Sequence, residues 1–254
     1  MKTRLITMPH SHFCEKARWA LDLSGVEYVE EAHPPLFHWM ATLTRGGRSV
    51  PVLVHDGKSY TDSTDILLHL DEMGAKLYPC EPDVRNAVLQ LEDEFDLTLG
   101  PHARRWAYAQ LLPHSALLLK AMTPDTAGIE RILLPAILPI AKRLIRKSLR
   151  ISEQSAARSL SMVNQVFSDV EQRLQGGSRF LVGNRFTAAD LTFASLAAPV
   201  LLPPQYRGQM PKLDEASQPM RDEVVRLRET VAGRFALRLF DEHRQPLLVR
   251  TREA

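Results

Sequence analysis

Apolar positions fall in short runs or alternate over residues 1–60, then recur every three or four residues almost to the end. Residues 4–8 form an apolar run stopped by Pro9, which predicts a first strand. Phe13, Ala17, Ala20, Leu21 and Ser24 keep helical spacing, with Ser11 placed as N-cap and Gly25 just past the end. Residues 26–31 alternate as a second strand, His33-Pro34-Pro35 breaks it, and residues 36–43 suggest a short helix. A loop from Arg45 leads to Pro51, whose missing N–H suits the opening residue of a strand. Residues 51–55 and 58–60 flank Asp56-Gly57, a dipeptide suited to a tight hairpin. Residues 62–74 then read as a helix stopped by Gly74.

Pro79 and Pro82 mark residues 79–85 as a linker. Beyond it the pattern is helical: residues 83–99 and 106–112, with Gly100-Pro101 as an interruption, and 153–174, closed by Gly176-Gly177. Residues 187–198 form an apolar helix, followed by a loop holding Pro199, Pro203 and Pro204. Helices around 214–219, 221–233 and 235–244 complete the chain. Thr187 and Asp190 stand at the two positions of a capping box, with Phe186 and Leu191 placed as a hydrophobic staple. Residues 129–151 join an apolar stretch, Ile132 to Ile140, to Lys142, Arg143, Arg146, Lys147 and Arg150. A basic amphipathic segment of this kind suits an anionic lipid or an acidic ligand. The favoured reading is a helix that lids a site or packs on the bundle with its basic face in solvent.

Composition narrows the classes. At 44% hydrophobic and 24% charged residues, the chain reads as a soluble globular protein of 254 residues. A net charge of +2 gives no basis for nucleic-acid binding. Two cysteines, Cys14 and Cys80, are too few for a disulfide framework and fit a reducing compartment. No signal peptide, membrane span or metal-ligand cluster is read, so the expectation is a cytoplasmic protein without stable membrane insertion.

The order β-α-β-α-β-β-α makes the first two strands parallel and the hairpin antiparallel, a thioredoxin-like arrangement. Ser11-x-x-Cys14, Val50-Pro51-Val52-Leu53, Asp62-Ser63 and the Gly183, Thr187, Asp190, Leu191 series follow in one order along the chain. Together they resemble the cytosolic glutathione transferases, of the bacterial or plant type that uses serine or cysteine. The resemblance implies an α/β thioredoxin-like N-terminal domain over residues 1–78 that binds glutathione. It implies an all-α C-terminal substrate domain over residues 86–254, with an insertion near 114–150. It also implies a cis Pro51, glutathione as co-substrate, a hydrophobic electrophile as the second substrate, and a homodimer.

The chemistry of such a site starts from the thiol. A free thiol is mostly protonated at neutral pH, with a pKa of about 8.5, and only the thiolate attacks. Ser11, at a helix N-terminus, is placed to donate to the sulfur while the helix dipole favours its charge. Cys14 is the rival: Ser11-His12-Phe13-Cys14 resembles the Cys-x-x-Cys of glutaredoxins with its first cysteine replaced, which leaves thiol–disulfide exchange as an alternative. His10 and His12 flank Ser11. By resemblance, Val50 pairs its backbone with the cysteinyl part across Pro51. Asp62 meets the γ-glutamyl ammonium, and Ser63 the γ-glutamyl carboxylate. Arg48 or Arg45 meets the glycyl carboxylate. Trp106, Tyr108 and the insertion are candidates for the electrophile side. A non-catalytic ligand-binding or interaction protein of the same fold is the remaining alternative.

Overall fold

The computed structural model describes residues 2–244. Met1 and residues 245–254, the ends of the two expected domains, lie outside the described residues.

Strands β1 (Thr3–Thr7), β2 (Tyr28–Ala32), β3 (Val52–His55) and β4 (Lys58–Tyr60) form one sheet in the order β2-β1-β3-β4. β1 and β2 are parallel, and the β3–β4 hairpin closes antiparallel at Asp56-Gly57. The helices of this half are α1 (His12–Ser24), α2 (His38–Leu43) and α3 (Ser63–Leu70). Gly25 ends α1 with φ of 70°, a left-handed conformation that glycine adopts without steric cost. Asp62 caps α3, which widens over Asp71–Ala75 and leaves helical geometry at Gly74, where φ is 109°. The Val50-Pro51 bond is cis.

The second half is helical: α4 (Pro82–Leu97), α5 (Leu99–Leu111), α6 (Ser115–Met122), α7 (Gly128–Ser148), α8 (Glu153–Arg173), α9 (Ala188–Leu201), α10 (Gln218–Glu229) and α11 (Val231–His243). α4 begins at Pro82, inside the stretch read as linker, because proline is well tolerated in a first helical turn. The interruption expected at Gly100-Pro101 falls at Thr98, between α4 and α5, and Gly100-Pro101 itself lies in the first turn of α5. Pro199 lies inside α9 instead of the following loop. The expected break at Gly233 falls at Thr230, whose hydroxyl accepts from Gly233 N–H and caps α11. Gly233 is needed for closeness, not for a stop: a Cβ there would lie 1.9 Å from the Leu227 carbonyl oxygen.

α9 is apolar all round and every one of its residues is buried, which suits a helix surrounded by other helices. It packs on α1, α4, α5, α10 and α11 and so joins the two halves. Its start is fixed by Asp190, whose carboxylate accepts from Thr187 N–H, Thr187 Oγ1–H and Leu181 N–H, each at 2.9 Å. The loop before the helix is thereby tied to the helix itself.

Residues 114–150, expected as an insertion, form the α6–α7 hairpin. Leu118, Met122, Leu134 and Leu138 give it a small core of its own with Leu112. His33 Nδ1 lies 2.8 Å from Glu130, which pins the start of α7 to the end of β2. Pro135 and Pro139 fall on the exposed side of α7, where water can serve the carbonyls they leave unpaired. The basic segment is therefore one helix packed on the bundle. Ile129, Ile132 and Ile140 share its outer surface with the basic side chains and are more than half exposed.

Candidate active site

Ser11 caps α1, with Oγ accepting from Cys14 N–H at 3.3 Å. The loop that precedes it is clamped by a segment almost two hundred residues away. Gln209 N–H donates to the Pro9 carbonyl at 2.9 Å, and Tyr206 Oη donates to the His10 carbonyl at 3.2 Å. Gly208 N–H reaches the buried Glu15 carboxylate at 3.2 Å, and Arg244 holds the other oxygen of Glu15 at 2.8 Å. This clamp carries Gln209, Met210 and Pro211 over the start of α1.

A cavity of about 240 Å³ opens there, between the two halves. Ser11, Arg48, Ser49 and Val50 line its sheet side. Arg104, Ala107, Tyr108 and Leu111 line the other, at the i, i+3, i+4, i+7 positions of one face of α5. Leu118, Ala121 and Met122 of the insertion close it, together with Met210 and Met220. The α6–α7 hairpin thus walls the cavity through α6, whereas the basic α7 stands behind it.

The expected site residues divide. Ser11, Arg48 and Val50 come together at the cavity, and Val50 lies just before the β3–β1 ladder, which starts at Val52. Pro51, Asp62 and Ser63 are not among the lining residues. Asp62 is exposed and accepts from Thr64 N–H at 2.8 Å, while Ser63 is buried in the first turn of α3. Cys14 is fully buried in a small cluster with Ile6, Val50 and Val52. Burial pushes its thiol up to about 11, outweighing Arg18 and the Ser11 hydroxyl, which favour the thiolate. Arg45 lines a separate surface depression with Lys2, Arg4 and Val54. Trp106 is buried in the core and does not face the cavity, whereas Tyr108 does.

Two histidines become part of the wall. His10 Nε2 lies 2.6 Å from Tyr108 Oη. Burial, aided by Arg18, lowers its pKa to about 4, while the nearby backbone of Ala121 pulls the other way without bonding to Nδ1. His12 Nε2 lies 3.0 Å from the Gly100 carbonyl, and burial with Arg104 nearby lowers its pKa to about 3. Both rings are neutral at pH 7, so His12 Nε2–H donates to that carbonyl. Burial also raises the Tyr108 hydroxyl above its ordinary range. The residues that local pattern missed here are Arg104 and the clamp, Gln209 and Met210. The one sequence signal for Arg104 is its place three and four residues before Ala107 and Tyr108.

A four-stranded thioredoxin-like sheet with a helical bundle on it, and a cavity at the start of α1 between them, defines the class. Models of the glutathione S-transferase N-terminal and C-terminal domains match residues 5–76 and 133–234. The chain belongs to the glutathione S-transferase family. Glutathione transferase GST 23 of Zea mays is 43% identical over 70 residues, covering 26% of this chain and 31% of that protein. A probable glutathione S-transferase of Nicotiana tabacum is 33% identical over 85 residues, covering 32% and 38%. The chain thus matches 31% to 38% of the length of these curated relatives. Glutathione transferase GSTFuA3 from Phanerochaete chrysosporium superposes with a TM-score of 0.61 at 18% identity, covering 98% of this chain and 99% of that one. Beta-etherase LigF from Sphingobium sp. strain SYK-6 gives 0.59 at 17%, covering 94% and 99%. At such identities the likeness is one of fold.

Proposed function

We propose that this protein is a glutathione transferase in which Ser11 stabilises the glutathione thiolate for attack on an electrophile held against α5 and α6. The observation that carries the reading is the position of Ser11. It caps α1, lines the cavity beside Val50, and takes up one lone pair with Cys14 N–H, so its proton is available to a sulfur. In the reaction the thiol proton leaves to solvent, a sulfur–carbon bond forms, and the electron pair of the broken bond departs with the leaving group. Val50 backbone, Arg48, Asp62 and Ser63 hold the peptide in the roles the family resemblance gives them. Arg48 is chosen over Arg45 because only Arg48 lines the cavity. The burial of Cys14 supports serine over cysteine as the thiol partner.

The test is the pH–rate profile of Ser11→Ala. Losing the principal donor to a stable anion costs about 3 kcal/mol, or roughly 100-fold at pH 7. The profile moves to higher pH, and glutathione affinity is largely kept. A wild-type profile in Ser11→Ala, with turnover abolished in Cys14→Ser, assigns the chemistry to the cysteine instead. The same reading carries a cytoplasmic homodimer, which light scattering at micromolar concentration checks.

A further inference from the structure

The cavity carries charge of one sign. Its lining includes Arg48 and Arg104 and no carboxylate. The three histidines in the wall, His10, His12 and His38, are all held towards the neutral form by burial. Arg48 sits on the sheet side with Val50, where the proposed peptide lies. Arg104 sits on α5 with Tyr108 and Leu111, in the half left for the second substrate.

Arg104, half-buried at the cavity, differs from the buried cations of this protein. Lys16 meets Glu92 and Asp96, Arg18 meets Glu30 and Glu15, and Arg244 meets Glu15 and Asp22. Arg104 makes no hydrogen bond or ion pair with any described residue, and its Nε is buried without a partner. Its neighbour Arg105 turns away, donating to the Leu149 carbonyl and to Ser159. An unneutralised guanidinium partly removed from bulk water destabilises the free protein, and burial draws its pKa below the ordinary arginine value. A fold keeps such a group where something else neutralises it.

Resting on the transferase reading, we infer that the second substrate is an apolar electrophile bearing an anionic group, a carboxylate in the simplest case, and that Arg104 binds this group. The surrounding Ala107, Leu111, Leu118, Met122 and Met210 take the apolar body. The guanidinium supplies a forked pair of donors, which suits a carboxylate better than a halogen or an ester. Arg104 is then a specificity-determining residue on the helix face opposite the thiol.

The test uses a matched pair, 4-chloro-3,5-dinitrobenzoate and its methyl ester, with glutathione. In each, a sulfur–carbon bond forms and chloride leaves. Rates are corrected for the uncatalysed reaction, and the binding of the two preformed glutathione conjugates is measured by calorimetry. The wild type is expected to favour the carboxylate about 10- to 100-fold in kcat/KM and in conjugate affinity, the scale of one hydrogen bond to a charged group. Arg104→Gln brings kcat/KM and conjugate affinity for the carboxylate down to those for the ester, and Arg104→Lys retains part of the preference. The melting temperature of Arg104→Gln without ligand should not fall below that of the wild type. Equal handling of the two acceptors and of the two conjugates by the wild type overturns the inference and leaves the transferase reading intact. A carboxylate preference in conjugate binding without turnover upholds the Arg104 site and removes the catalytic reading.

Discussion

Lys16 Nζ, on α1, lies 2.8 Å from Glu92 Oε1, on α4, and both side chains are fully buried. Asp96 approaches the same ammonium at 2.7 Å, and the Tyr78 hydroxyl donates to the other Glu92 oxygen at 2.5 Å. Thr64, at the start of α3, donates to Glu92 at 3.0 Å. One ion cluster thus fastens the thioredoxin-like half to the helical half through α1.

Breaking a buried pair by removing one member strands the other, which costs about 3–5 kcal/mol. Lys16→Met and Glu92→Gln are each expected to lower the urea midpoint by that order. The double replacement should cost less than the sum, because no Glu92 carboxylate is then stranded and only Asp96, which keeps the Thr64 hydroxyl, has lost its ammonium. Additive losses would show that the two residues act separately.

Cys80 is exposed and Cys14 is buried with its thiol raised to about 11. Iodoacetamide at pH 7.5 is therefore expected to label Cys80 alone in the folded protein, and both residues in denaturant. Mass spectrometry of peptides from the native reaction decides it. Labelling of Cys14 at a comparable rate would also reopen the thiol–disulfide alternative.

Asp190 and the histidines act on stability in opposite directions. Burial raises the Asp190 carboxyl to about 6, outweighing the three donors that favour its charge. The folded state therefore holds this proton more tightly than the unfolded chain, whose pKa is about 3.9. Its contribution is complete below pH 4 and is lost as pH rises through 6, by about 3 kcal/mol for a two-unit shift. The stability difference between wild type and Asp190→Asn should fall across that window. A flat difference would mean that the donors hold the carboxyl near its ordinary value.

His10 and His12 have folded pKa values of about 4 and about 3. The unfolded chain takes up their protons below about 6.5 and the folded one does not, so stability falls as pH drops from there. Nuclear magnetic resonance should show neither ring titrating between pH 5.5 and 8. Any activity limb above pH 6 would then belong to the thiol and not to His10. A His10 titration near 6.5 would contradict the packing of the clamp.

These histidines mark the boundary of what local pattern carries. The strands, α1, α3 and the Thr187–Asp190 box were legible because period, cap and turn residue agreed within a few positions. Ser11 was legible as the cap of α1 for the same reason, whereas the cis bond at Pro51 was implied by the family resemblance. His10 reads as a loop residue, and only residues 206–211, packed over it from the far end of the chain, make it part of a cavity wall. Arg104 lies between His102 and Arg105, a run that reads as a solvated helix face. It lines the cavity together with residues of α1 and the clamp, neither of which the periodicity of α5 can report. Pro199 misplaces a helix end for a related reason. A breaker inside a helix is offset by solvent or by tertiary packing, and neither is visible along the chain.

The insertion offers a way to separate the two halves of the site. Ala121, on α6, is buried at the cavity wall beside His10, on the side away from Val50 and Arg48. Ala121→Phe would push a ring into the space left for the electrophile. Overpacking of this kind costs about 1–3 kcal/mol, and a substrate competing for the same volume bears a penalty of similar size. The KM for the electrophile is expected to rise roughly 10-fold or more on that scale. The KM for glutathione should stay within about twofold, because its proposed contacts come from the sheet side and α3. Circular dichroism and the melting temperature establish that the variant is folded. If both KM values rise together, α6 acts by supporting the whole site, and the insertion would not be a wall of the electrophile pocket alone.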